Sequence, residues 1–137
     1  MGVIMKLGMG MMRLPLIDEN DFTSIDYEQV NKMVDTYMDA GFNHFDTAYI
    51  YHEGKSENAF KKSVVERYPR DAYKIATKMP LFIISEESQL EPIFAEQLEN
   101  CGVDYFDSLE KMCGYYSEDF IKEWITKYLE WCEQHGL

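Results

Sequence analysis

Cysteine is scarce in this chain, and the few present are poorly placed for a structural role. Cys101, Cys113 and Cys132 are odd in number, widely spaced and form no CxxC pair. Such a pattern offers neither a disulfide framework nor a zinc site. No metal is expected, and the setting reads as reduced and cytoplasmic. Basic residues are also short: 13 Lys and Arg stand against 25 Asp and Glu, a net charge of −12. With no basic stripe to neutralise phosphates, nucleic acid is excluded as a partner. The charge describes a soluble, self-repelling surface. No apolar run approaches the roughly 18 residues of a membrane span. The start, MGVIMKLGMGMMRLP, is apolar but short and lacks a small-residue cleavage site, so no signal peptide is expected. GMGMM is not GxGxxG, so no phosphate-cradling glycine loop follows the first strand. Repeats, low-complexity segments and linkers are missing too. The whole chain, 1–137, reads as one domain with a real core.

What is present is an alternation. Residues 4–12 predict a strand interrupted by Gly8 and Gly10, and residues 16–25 a polar loop. A helix is predicted over 26–40, capped by Asp26 with Gln29 in a capping-box position. Its apolar face is Tyr27, Val30, Met33, Val34, Tyr37 and Met38, and Gly41 ends it. A strand follows at 43–48. Ser56 then caps a helix over 57–68, with Phe60 and Val64 inward. Tyr73–Thr77 is the next strand, with Lys78 at its end. The third helix, 86–101, carries Leu90, Ile93, Phe94, Leu98 and Cys101 on one face; Pro92 starts or kinks it. Val103–Phe106 reads as a short strand and 108–116 as irregular. Ser117 caps a last helix over 118–134, its buried face being Phe120, Ile121, Trp124, Ile125, Tyr128, Leu129 and Cys132. Strand and helix thus alternate four times, which predicts an α/β domain with a parallel sheet and right-handed crossovers. In such sheets the functional end lies where strands hand over to helices. Gly10, Asp46 and Lys78 all fall there.

Between Phe42 and Lys78 stand an Asp, a Tyr and a Lys at the ends of two neighbouring strands. A tyrosine has an unperturbed pKa of about 10. A lysine beside it favours the phenolate, and an aspartate keeps that lysine charged and oriented. Asp46, Tyr51 and Lys78 together would make a tunable acid, able to protonate an oxygen as negative charge builds on it. Each also has a plain reading: a cap, a loop aromatic and a surface charge.

Four segments carry a resemblance: LGMGMMRLP, GFNHFDTAYIYHEGKSE, RDAYKIATKMP and FAEQLENCGVDYFDSL. In order and spacing, with DTAxxY, then GxSE, then TK, they resemble the aldo-keto reductases. Within these the match is to the bacterial and archaeal branch that often carries a ferredoxin-like tail. The resemblance implies four βα units corresponding to the N-terminal half of a (β/α)8 TIM barrel. It implies reduction of small aldehydes or ketones with a nicotinamide cofactor, usually NADPH, and no metal. Tyr51 would be the general acid, Lys78 would lower its pKa, and Asp46 would orient Lys78 and touch the nicotinamide ribose. Gly10 and Met11 would lie near the cofactor, and Tyr49 and His52 would line the substrate mouth.

The sequence departs from the family pattern in two ways. The family's catalytic histidine ends a run like DYxDxYLLH. Here Asp104-Tyr105-Phe106-Asp107 is followed by Ser108-Leu109-Glu110-Lys111-Met112, so Met112 stands where the histidine is expected. A complete barrel also takes about 250 residues, and this chain has four of the eight units. The later strands that stack on the nicotinamide and hold the adenosine phosphates are missing, and so are the tail cysteines of an iron–sulfur site. The outer strands of a half-barrel would expose unpaired backbone, and its inner face would expose apolar side chains. Two copies could close through those edges into a homodimer. Weak or lost carbonyl reduction is the first expectation, and a non-catalytic half-barrel that dimerises or docks on a partner is the alternative.

Overall fold

The computed structural model describes residues 6–111 and 118–136. Four parallel strands pair in chain order: β1 (Gly8–Gly10), β2 (His44–Asp46), β3 (Lys74–Met79) and β4 (Ser108–Lys111). Helices α1 (Tyr27–Asp39), α2 (Ser56–Phe60), α3 (Leu90–Cys101) and α4 (Glu118–Gln134) follow the strands in turn. This is an open sheet of four βα units, with β1 and β4 at its edges. Among the described residues, no helix is long and apolar enough to cross a membrane.

The core lies between the sheet and its helices. From α1 come Val30 and Val34, from α2 Ala59 and Phe60, and from β2 and β3 Phe45 and Ile75, all fully buried. Tyr37, Phe45, Phe60 and Tyr73 pack edge to face in a row, with centroids 5.3, 5.6 and 5.5 Å apart. A second cluster joins Met79, Leu81, Ile84 and Leu90 to Trp131 of α4.

Most predicted elements are present, with shorter strands. Asp26 caps α1 by accepting from Gln29 N–H, as expected, and Met33 on its predicted apolar face is exposed. The α2 helix widens into a π-type turn over Lys61–Val65. Ser56 does not cap it: Ser56 is its first residue, and the hydroxyl is bonded elsewhere. Pro92 sits in the first turn of α3, where its missing N–H costs nothing. In α4, Cys132 of the predicted face packs on the second cluster and Ile125 is half-buried, but Leu129 is exposed and Trp131, not predicted, is buried. The predictions for Ser117, Phe120, Ile121, Trp124 and Tyr128 lie outside what is described.

Two expectations are overturned. The fourth strand is not Val103–Phe106 but Ser108–Lys111, paired from Ala76↔Ser108 to Met79↔Lys111. Val103 and Phe106 are buried three residues apart, a spacing for plugging the helix layer rather than for a strand. Asp107, the residue before the strand, anchors its start. Its N–H donates to Ile75 O at 3.0 Å, and its carboxylate accepts from Ile75 N–H and Arg70 at 2.9 and 2.8 Å.

The inner face is also not apolar. Strand alternation puts Phe45, Ile75, Thr77, Met79 and Leu109 toward the helices. That leaves Gly8, Gly10, His44, Asp46, Lys74, Ala76, Lys78, Ser108 and Glu110 on the opposite face. Small and polar side chains therefore cover it. Glu110 stands opposite Lys78 in register, so the charged residue that looks wrong for a strand faces water.

Candidate active site

The site forms where β2 and β3 separate. The last rung between them is Thr47 N–H to Ala76 O at 2.9 Å, after which the chain turns away into the loop 47–55. Asp46 and Lys78 project from the inner face on either side of this opening. Lys78 Nζ donates to Asp46 Oδ1 at 2.5 Å and to Thr47 O at 3.1 Å, and it lies 5.2 Å from the centroid of the Tyr51 ring. The three predicted catalytic residues are thus brought together.

Burial works against the charged form of Lys78. The hydrogen bond and charge of Asp46, with a contribution from Tyr51, outweigh it and hold its pKa above 10.5. Lys78 is therefore a fixed cation across the physiological range. Its side chain is 15% exposed and that of Asp46 33%, so the pair is shielded on one side and open on the other. A half-buried phenol beside such a cation can release a proton to an incoming oxygen, because the charge left behind is stabilised.

The residues expected near a cofactor divide. Gly10 is in register with Asp46, and a Cβ added to it would meet nothing within 4 Å. The Gly10 position beside the carboxylate is therefore uncrowded among the described residues. Met11, beside it, is enclosed. Its side chain is fully buried, its N–H donates to Asp46 O, and its carbonyl accepts from Ser56 Oγ. The two residues expected at the substrate mouth are engaged elsewhere. Tyr49 OH donates to Glu96 Oε2 at 3.0 Å on α3, and His52 is buried. Met112 and Cys113 lie outside the described residues. Among those described, no group of His, Cys, Asp and Glu is placed to hold a metal ion.

Behind Lys78 lies a polar cluster with no assigned role in the sequence reading. Glu57 is fully buried, and its carboxylate accepts from Thr77 Oγ1 at 2.8 Å, Gln97 Nε2 at 2.9 Å and Asn100 Nδ2 at 3.2 Å. Gln97 Nε2 also donates to Lys78 O at 3.0 Å. Burial raises the Glu57 pKa against the pull of those three donors. Glu57 is the last residue of GKSE, so the motif was visible without its purpose.

The model of the aldo/keto reductase family matches residues 6–137. The chain belongs to this family.

Solved aldo-keto reductases share the fold at low identity. An aldo-keto reductase of Bacillus halodurans in its holo form is 22% identical with a TM-score of 0.69; the match covers 94% of this chain and 42% of that one. One of Brucella melitensis is 23% identical, TM-score 0.61, covering 93% and 44%. One of Klebsiella pneumoniae, in complex with NADPH, is 16% identical, TM-score 0.65, covering 93% and 41%. This aldo/keto reductase chain therefore spans less than half the length of each of these three relatives. Its four βα units correspond to half of the family barrel.

Proposed function

We propose that this chain carries the proton-donating half of a carbonyl-reducing site. The observation that supports this most is the meeting of Lys78 with both Asp46 and Tyr51 at the carboxyl end of the sheet. In this reading an aldehyde or ketone lies with its oxygen toward the Tyr51 hydroxyl. Gly10 and Asp46 hold the nicotinamide end of NADPH in the open space beside them. When bound, NADPH supplies the hydride to the carbonyl carbon. Tyr51 gives its proton to the oxygen as charge builds there. Lys78 stabilises the phenolate that remains, and Asp46 keeps Lys78 oriented.

Turnover is weak in this reading. Met112 stands where the family has a histidine and cannot donate a hydrogen bond to the carbonyl oxygen. The match covers 42% of the Bacillus halodurans relative and 41% of the NADPH-bound one from Klebsiella pneumoniae. A reduced, cytoplasmic setting suits both the cofactor and the unpaired cysteines. The test is NADPH-dependent reduction of a reactive aromatic aldehyde by the whole chain, with and without Tyr51→Phe. Slow turnover abolished by the substitution is expected. Turnover that survives it would refute the assignment of the acid.

A second reading, a half-barrel that pairs with a second copy, is favoured by one surface. Leu7, Met9, Met33, Tyr37 and Phe42 line an open apolar groove of about 710 Å³ beside the edge strand β1. Leu7 is 55% and Met33 41% exposed there. Light scattering over a concentration series tests it. A dimer that Leu7→Lys and Met33→Glu convert to monomer is expected, and a monomer throughout would rule it out.

A further inference from the structure

The segment after Tyr51 passes through three consecutive residues with positive φ: His52 at 53°, Glu53 at 54° and Gly54 at 84°. Glycine accepts this left-handed region freely, but His and Glu do not. Such backbone persists only where the surroundings over-determine it. Glu53 is exposed, so the restraint must come largely from His52, whose side chain is buried.

The imidazole of His52 is bonded at both nitrogens. Leu14 N–H donates to Nε2 at 3.0 Å, and Nδ1 donates to the carbonyl of Phe22 at 2.8 Å. An amide N–H can only donate and a carbonyl can only accept, so the ring is the neutral Nδ1–H tautomer. Both partners belong to the connection between β1 and α1. Ser56 ties the other side of the same turn to that connection. Its Oγ donates to Met11 O at 2.8 Å and lies 2.8 Å from Thr47 Oγ1. The main chain of Tyr51 is fixed between these ties, with its N–H on Ala48 O and its carbonyl accepting from Gly54 and Ser56 N–H. Little freedom is left to choose where the Tyr51 side chain leaves the loop.

We propose that His52 is a positioning residue for Tyr51. By clasping the β1–α1 connection it holds the left-handed turn, and the turn holds the phenol ring against Lys78. The functional meaning rests on the reading of Tyr51 as proton donor, but the geometry does not. His52 is therefore not a wall of the substrate mouth but part of the frame behind the acid.

The test uses NMR on the whole chain. Two signals are followed: hydrogen exchange at Leu14 N–H, and the ring-current shift of the Lys78 ε-methylene, defined by its loss in Tyr51→Leu. In His52→Phe the Leu14 amide should exchange about tenfold faster or more. The Lys78 resonance should move to its Tyr51→Leu position. His52→Gln, whose amide oxygen can still accept from Leu14, should restore both signals in part. If His52→Phe does not fold, His52→Asn, which keeps a donor toward Phe22 O, carries the same comparison. Faster Leu14 exchange with an unmoved Lys78 resonance would make His52 structural only and overturn the proposal, as would unchanged Leu14 exchange. Neither readout requires activity. A chain that shows both shifts but reduces no carbonyl refutes the functional reading and leaves the clasp standing.

Discussion

Gln97 on α3 donates to the main-chain carbonyl of Lys78 at 3.0 Å. The reason lies in the sheet. Along β3 the carbonyls of Ala76 and Lys78 both point toward β2. Ala76 O receives Thr47 N–H, but beyond that rung β2 has turned away. Opening a cleft for the loop 47–55 therefore orphans the carbonyl of Lys78, and a side chain from a helix replaces the lost strand. Gln97 must present its nitrogen to do so, and its Oε1 is left buried without a partner among the described residues.

Gln97→Leu, close in volume, strands Lys78 O and removes one donor from Glu57. A loss of about 1–3 kcal/mol is expected, the cost of leaving buried polar groups unmade. The urea midpoint at unchanged slope measures it.

Glu57→Gln should change the pH dependence of stability. The ordinary value for Glu57 is 4.5, and burial raises it in the folded chain. Between those two values the native state holds more protons than the unfolded chain, so stability falls as pH rises through the window. Glu57→Gln removes that fall. The variant should gain on the wild type as pH climbs from below 4.5 toward neutrality. Urea midpoints across this range decide it, and parallel curves would contradict the raised carboxyl.

Lys78 has the same sense in an alkaline window. Its folded value is raised above 10.5, so the stabilisation from its pairing is complete below 10.5 and is lost as pH rises through the folded value. Lys78→Met should flatten the alkaline limb of the stability curve and abolish any carbonyl reduction. A denaturation series at alkaline pH on both proteins checks the first, and an activity assay the second.

The alternation of strands and helices was plain in the sequence, because apolar residues recur at helical spacing in 26–40 and 86–101 and Asp26 and Gly102 punctuate the ends. Asp46 and Lys78 were legible because both close apolar strands. The fourth strand was not legible. Ser108, Glu110 and Lys111 have weak strand preference, and only pairing with β3 over a polar inner face makes the segment a strand. The role of His52 was hidden for a different reason. Nothing local says that Leu14 N–H and Phe22 O, 38 and 30 residues away, will converge on its ring. Gln97 was equally hidden, since the orphaned carbonyl it serves exists only once β2 and β3 part.

The start of that fourth strand gives its own prediction. Asp107→Ala removes the acceptor for both Ile75 N–H and Arg70. It should cost about 1–3 kcal/mol, read from thermal melts, and speed amide exchange at Ile75. Asp107→Asn, which keeps an oxygen in place, should recover part of the loss. Equal melts for all three proteins would show that the strand starts without it.

The most direct measurement of the central claim is an NMR titration of the whole chain with NADPH, followed by addition of an aromatic aldehyde. Weak binding is predicted, with a Kd above about 1 μM. Shifts should concentrate at Gly10, Asp46 and Lys78, followed by slow product formation that Tyr51→Phe abolishes. Shifts confined to the other end of the strands, at His44 and Lys74, or product formation untouched by Tyr51→Phe, would contradict it.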